Sequence, residues 1–143
     1  MVAVLWAICY NIPIIFRQEL NKMVAKKNLC VLILAAGKGT RMKSPLPKPL
    51  HVVCGTPIIS HILKAAQALN PSAIGIVVGH QADQVIDAVK DHLAEWGITA
   101  PVVFVHQTDL SGSASAVKAA LPLIQKFEKV MILNGDTPLL RVE

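Results

Sequence analysis

Leu29 to Met42 reads LCVLILAAGKGTRM. Its first seven residues, 29–35, form an unbroken apolar run with the length of a strand buried on both faces, as in a parallel sheet covered by helices. Glycines follow at positions 37 and 39. Beyond them Pro45, Pro47 and Pro49 remove backbone donors and predict an irregular loop over 42–50 without helix.

Working outward, Thr56 is placed to cap a helix with Pro57 at its first position. Ile58, Ile59, Ile62, Leu63, Ala66 and Leu69 recur at helical spacing until Asn70-Pro71 ends the run. Residues 73–78 (AIGIVV) read as a second strand, closed by Gly79. A second amphipathic helix is expected over 83–93, with Ala82, Val85, Ile86, Val89 and Leu93 facing inward. Residues 101–105 read as a third strand. Ser113 can cap a third helix reaching Leu121, where Pro122 breaks it, and 130–133 form a fourth strand running into Asn134-Gly135-Asp136. Alternation of strands and helices predicts a Rossmann-like, three-layer α/β/α fold with a mostly parallel sheet and right-handed crossovers. Ligands of such sheets bind at the carboxyl ends of the strands, which singles out 36–48 and Gly135-Asp136.

At 143 residues, 53% hydrophobic and 16% charged, the chain has the length of one domain and can bury a sizeable core. Disordered, collagenous and disulfide-rich classes are excluded. Cys9, Cys30 and Cys54 are odd in number, far apart and without a C-x-x-C pair, which fits reduced thiols in a cytoplasmic protein. The net charge of +5 is unevenly spread: no acid lies between Glu19 and Asp83, whereas Lys22, Lys26, Lys27, Lys38, Arg41, Lys43, Lys48 and Lys64 all do. Such a block attracts polyanions. It lacks the aromatics that stack on bases, so a compact polyphosphate fits better than nucleic acid; a merely solvated basic face is the bland alternative.

Residues 1–16, MVAVLWAICYNIPIIF, carry no charged side chain. They are shorter than the roughly 20 apolar residues a bilayer needs, are interrupted by Asn11 and Pro13, and lack the basic lead of a secretory signal. Residues 1–22 are read as an extension outside the fold, with a membrane anchor as the lesser reading; residues 23–143 are read as the fold.

In the loop, Gly37 and Gly39 let backbone amides approach a phosphate, and Arg41 and Lys48 add positive charge. A dinucleotide fingerprint would need glycine at Met42, and a Walker loop would need Ser or Thr after Gly37-Lys38, where Gly39 stands. The glycines alone are equally those of a turn. The five histidines show no metal-ligand spacing, and Ser111-Gly-Ser-Ala-Ser115 reads as a helix cap rather than a nucleophile site.

The longer pattern is specific. Residues 34–51, LAAGKGTRMKSPLPKPLH, resemble the signature of sugar-phosphate nucleotidyltransferases, L-A-[AG]-G-x-G-T-R-[ML] followed by a Pro-Lys pair. Pro47-Lys-Pro-Leu-His51, then Gly55-Thr-Pro-Ile58, is most similar to the bacterial N-acetylglucosamine-1-phosphate uridylyltransferases of the MobA-like NTP transferase superfamily. Residues 134–140, NGDTPLL, are similar to that family's metal-site segment. The resemblance implies a nucleotide-diphospho-sugar transferase fold, truncated, because the family's domain continues beyond this chain with sugar-binding residues and a second metal ligand. It implies that Leu34, Ala35, Ala36 and Gly37 line uracil and ribose, that Gly39, Thr40, Arg41 and Lys48 face the triphosphate, that Gln107, Gly112 and Ser113 lie at the base, and that Asp136 holds Mg²⁺. Ser113 stands where the family has threonine, Ser115 where histidine is usual, and Asn134 where an aromatic is common.

The implied reaction joins UTP, or another NTP, to a sugar 1-phosphate whose oxygen attacks the α-phosphorus while pyrophosphate leaves. It needs positioning and charge neutralisation more than covalent help. Three readings stay open: a uridylyltransferase making UDP-N-acetylglucosamine once completed, a non-catalytic nucleotide-binding fragment, and a cytidylyl- or molybdenum-cofactor-type transferase. Neither nucleic acid nor membrane is expected as a partner. The sheet edge left uncovered beyond the fourth strand favours self-association.

Overall fold

The structure is a computed structural model and describes residues 3–6, 28–37, 39 and 42–140. Its centre is a five-stranded parallel sheet of β1 (Ala3–Trp6), β2 (Leu29–Leu34), β5 (Ala73–Val78), β6 (Val102–His106) and β7 (Lys129–Asn134), in the order β1-β7-β2-β5-β6. A two-residue hairpin, β3 (Val52–Val53) with β4 (Thr56–Pro57), stands apart. The helices are α1 (Ile58–Ala68), α2 (Ala82–His92), α3 (Ser113–Ala119) and α4 (Leu121–Ile124).

Alternation along the strands sorts their side chains onto two faces. Val31, Ile33, Ile74, Ile76, Met131 and Leu133 pack with Ile59, Ile62, Leu63 and Ala66 of α1 and with Val85 and Val89 of α2. Cys30, Leu32, Val77, Val130 and Ile132 pack with Ala116, Ala120 and Ile124 around α3 and α4. Both faces of β2 are therefore buried, as its unbroken apolar run requires, and the expected α/β/α layering holds. Each fully buried Leu or Ile contributes about 1.5–3 kcal/mol over its exposed state.

Chain order runs from β2 outward through β5 to β6, then returns to the other side of β2 as β7. The order reverses between β2 and β7, which makes the carboxyl ends of that pair the place where a crevice opens.

Several sequence expectations need correction. Thr56 does not cap α1: the helix starts at Ile58 with Pro57 at the cap, and Thr56 belongs to β4. The segment 42–50 is not wholly irregular, because Lys48–Leu50 makes one 3-10 turn. Gly112, rather than Ser113, occupies the cap position of α3. The third helix does break near Pro122, but it ends at Ala119 and a second one, α4, follows from Leu121 with Pro122 in its first turn. Residues 3–6, inside the stretch read as an extension, pair in parallel with the outer side of β7; the rest of 1–22 lies outside the described residues. The edge expected to be uncovered beyond the fourth strand is thus occupied, and the outermost described strands are β1 and β6.

Candidate nucleotide-binding site

The first wall of the site is the proline-rich loop. Leu50 N–H donates to Pro47 O at 2.9 Å and His51 N–H to Lys48 O at 3.2 Å, closing the 3-10 turn that carries Lys48. Three further bonds hold the loop. Ser44 Oγ accepts from Leu46 N–H at 3.1 Å, and Pro45 O accepts from Gln81 Nε2 at 2.9 Å. His51 Nε2 lies 3.1 Å from Leu46 O; a carbonyl only accepts, so this nitrogen carries the proton. Gly39 has φ of +58°, left-handed backbone that glycine adopts without penalty, and a Cβ there would sit 3.1 Å from Lys48 Cβ.

The second wall is the end of β7. Gly135 N–H donates to Leu34 O at 2.8 Å. A Cβ on Gly135 would lie 2.5 Å from that same carbonyl oxygen, so only glycine brings the backbone this close to β2. Thr137 Oγ1 donates to Asn134 O at 3.0 Å, shaping the turn that presents Asp136. Lys48 Nζ and Asp136 Oδ2, 88 residues apart in sequence, meet at 2.8 Å. Their side chains are 32% and 46% exposed, so both charges remain open to an incoming ligand. Leu34, Ala35, Gly37, Gly39, Met42, Lys48, Pro49, Asn134, Gly135 and Asp136 line one cavity of about 390 Å³. A Cβ on Gly37 would meet nothing within 4 Å, so its missing side chain leaves space to the cavity.

A second cavity, of about 230 Å³, shares Leu34, Gly37 and Asn134 with the first and adds Ala36, Gln107, Leu110, Gly112, Ser113 and Ala116. Gln107 follows β6 and is only 7% exposed. Its Nε2 lies 2.6 Å from Asp109 O, 3.2 Å from Gly112 O and 2.8 Å from Ser115 Oγ. Two of these partners are carbonyls, so the NH₂ end must face them. Oε1, with no donor among the described residues, is the acceptor left over. Ser115 Oγ donates to Asp109 O, and Ser111 bonds the Asp109 carboxylate through both N–H and hydroxyl. The serine run thus builds a loop around Gln107, beyond the expected cap.

Of the residues singled out from sequence, Leu34, Ala35, Gly37, Gly39, Lys48 and Asp136 share the first cavity, and Ala36, Gln107, Gly112 and Ser113 share the second. Thr40 and Arg41, with Lys38, lie outside the described residues. Sequence reasoning did not place Met42, Pro49, Leu110 or Ala116 in the walls. Their apolar side chains carry no chemical signal; only the place of Met42 in the signature and of Pro49 beside Lys48 hinted at a role.

Residues 31–143 match the MobA-like NTP transferase domain. The chain belongs to that family of nucleotidyltransferases. This NTP transferase chain is 43% identical over 118 residues to the bifunctional protein GlmU of Neisseria meningitidis serogroup B, covering 82% of the chain and 24% of that protein. It is 40% identical over 116 residues to its namesake in Legionella pneumophila, covering 81% and 23%. It therefore spans about a quarter of the length of these curated relatives. Among solved structures, HddC from Yersinia pseudotuberculosis in complex with GMP-PN superposes with a TM-score of 0.64 at 29% identity, covering 75% of this chain and 47% of that one. The inositol-1-phosphate CTP transferase from T. maritima shares the fold at a TM-score of 0.63 and 18% identity, covering 75% and 43%.

Proposed function

We propose that this chain carries the triphosphate-binding part of a uridylyltransferase that transfers UMP from UTP to N-acetylglucosamine 1-phosphate, releasing pyrophosphate. Residues 31–143, the stretch that matches the family, are the N-terminal part of the NTP transferase domain in this reading, and the location is cytoplasmic. The observation that carries it is the meeting of Lys48 and Asp136 at 2.8 Å in the wall of a cavity also lined by Gly37 and Gly39. A flexible ammonium, backbone amides free of side chains and one carboxylate at a strand end are the groups a metal–triphosphate needs. Identity to proteins named GlmU supports the uridylyl branch.

Each residue has a role under this reading. Leu34, Ala35, Ala36 and Gly37 line base and ribose; Gly39 and Thr40 face the triphosphate, and Arg41 and Lys48 neutralise its charge. Gln107, with Gly112 and Ser113, addresses the base through the acceptor Oε1, which suits the imide N–H of uracil and not the bare ring nitrogen of cytosine. Asp136 would hold Mg²⁺. Its half-exposed carboxylate fits a hard cation, and among the described residues no cluster of three or more His, Cys, Asp or Glu exists. Such a cation would arrive with the phosphates supplying most of its ligands, and would draw off charge from the leaving pyrophosphate.

Pyrophosphate release from UTP and N-acetylglucosamine 1-phosphate with Mg²⁺ tests turnover. Release at background level, with UTP still bound, would reduce the chain to a nucleotide-binding fragment. A thermal-shift panel of UTP, CTP, GTP and dTTP tests the base, with UTP expected to give the largest shift. A larger shift with GTP or CTP would move the assignment to another branch; the GMP-PN complex of HddC makes the guanine arm the one to watch. Arg41→Ala is expected to weaken triphosphate binding by about 1.5–3 kcal/mol, the range for charged hydrogen bonds.

A further inference from the structure

We infer that the Lys48–Asp136 ion pair is a placeholder which a divalent cation and a triphosphate displace together, so that each binds poorly alone and well in the presence of the other. This rests on reading the glycine loop as a triphosphate grip.

The pair joins the two walls of the first cavity: Lys48 sits on a turn fixed through His51 and Gln81, and Asp136 follows the Gly135 contact with β2. Both charges are part-exposed, so exchanging partners unpacks nothing. A cation arriving alone takes the carboxylate and leaves the Lys48 ammonium facing it, like charge against like. A triphosphate arriving alone takes the ammonium and leaves the Asp136 carboxylate facing its own oxygens. Either event breaks one ion pair to make another. When both arrive, ammonium–phosphate and carboxylate–cation contacts replace the single lost pair and no charge is stranded. That is positive coupling between two ligands, carried by two side chains in contact and reciprocal by linkage.

The test measures Mn²⁺ binding by electron paramagnetic resonance and UTP binding by calorimetry, in EDTA and in Mn²⁺, on the full chain. The wild-type chain should bind UTP roughly tenfold tighter with the cation, within the usual span of coupled sites. Lys48→Met should bind Mn²⁺ alone several-fold tighter. Asp136→Asn should bind UTP in EDTA several-fold tighter. Lys43→Met, an exposed lysine of the same loop that does not line the cavity, should shift both far less than these two substitutions do. If UTP binds wild type but neither Lys48→Met nor Asp136→Asn improves single-ligand binding, the placeholder is refuted. An equal effect of Lys43→Met refutes it too, by showing diffuse electrostatics. If none of UTP, CTP, GTP or dTTP binds wild type with Mn²⁺, the triphosphate reading itself falls and takes the placeholder with it.

Discussion

At the scale of single residues, two glycines of one cavity answer to different constraints. A methyl group on Gly135 would press on the backbone oxygen of Leu34, which cannot rotate away. Gly135→Ala is therefore expected to cost about 1–3 kcal/mol in urea unfolding, the range for overpacking. A methyl on Gly37 meets nothing in the protein. Gly37→Ala should keep the wild-type unfolding midpoint and lose nucleotide affinity in calorimetry. The cysteines separate in the same manner. Burial pushes the Cys30 thiol from 9.0 to about 11, against a smaller opposing effect of the Gly75 backbone, while Cys54 is exposed. Because the unfolded chain gives up the thiol proton first, stability should fall as pH rises between about 9 and 11. Cys30→Ala should flatten that stretch of a urea-midpoint profile. Peptide mapping after thiol labelling at pH 8 should find Cys54 modified and Cys30 protected.

Single elements differ in how plainly they were written in the sequence. The second strand was read with its observed bounds and the first to within one residue, since long apolar runs bounded by turn residues leave little choice. The apolar stripe of α1 was legible throughout: Ile58, Ile59, Ile62, Leu63, Ala66 and Leu69 are all buried. Leu63→Ala should cost about 2–5 kcal/mol in equilibrium unfolding. The β3–β4 hairpin was not legible, because two-residue strands have no periodicity to detect. Thr56 illustrates the failure: its type and position argued for a cap, but its hydroxyl accepts from the His61 Nε2–H of α1 at 2.7 Å, a proton shared with Val53 O at 2.9 Å, which ties the hairpin to the helix. The cap of α3 was misplaced by one residue: Gly112, with φ of 130°, holds it, and Ser113 is already the first helical residue.

For the whole molecule, the layered α/β architecture followed from the order of elements, and the signature loop located half of the site. The partnership of Lys48 with Asp136 was not legible, nor was the role of β1, because both depend on which strand lies beside β7. If metal and nucleotide bind only the folded chain, saturation at a hundredfold above Kd should add about 2.7 kcal/mol and raise Tm by several degrees, as differential scanning fluorimetry can check. No described helix is long and apolar enough to cross a membrane.

The insertion of β7 beside β2 also fixes when the site comes into being. Leu34 pairs with Asn134 across a separation of one hundred residues, and closing so long a loop is entropically late in folding. A nascent chain emerging from the ribosome with β7 still unmade already holds the signature loop, yet has only one wall of the crevice. Nucleotide cannot template the early steps of such a chain; it can only reward the last one.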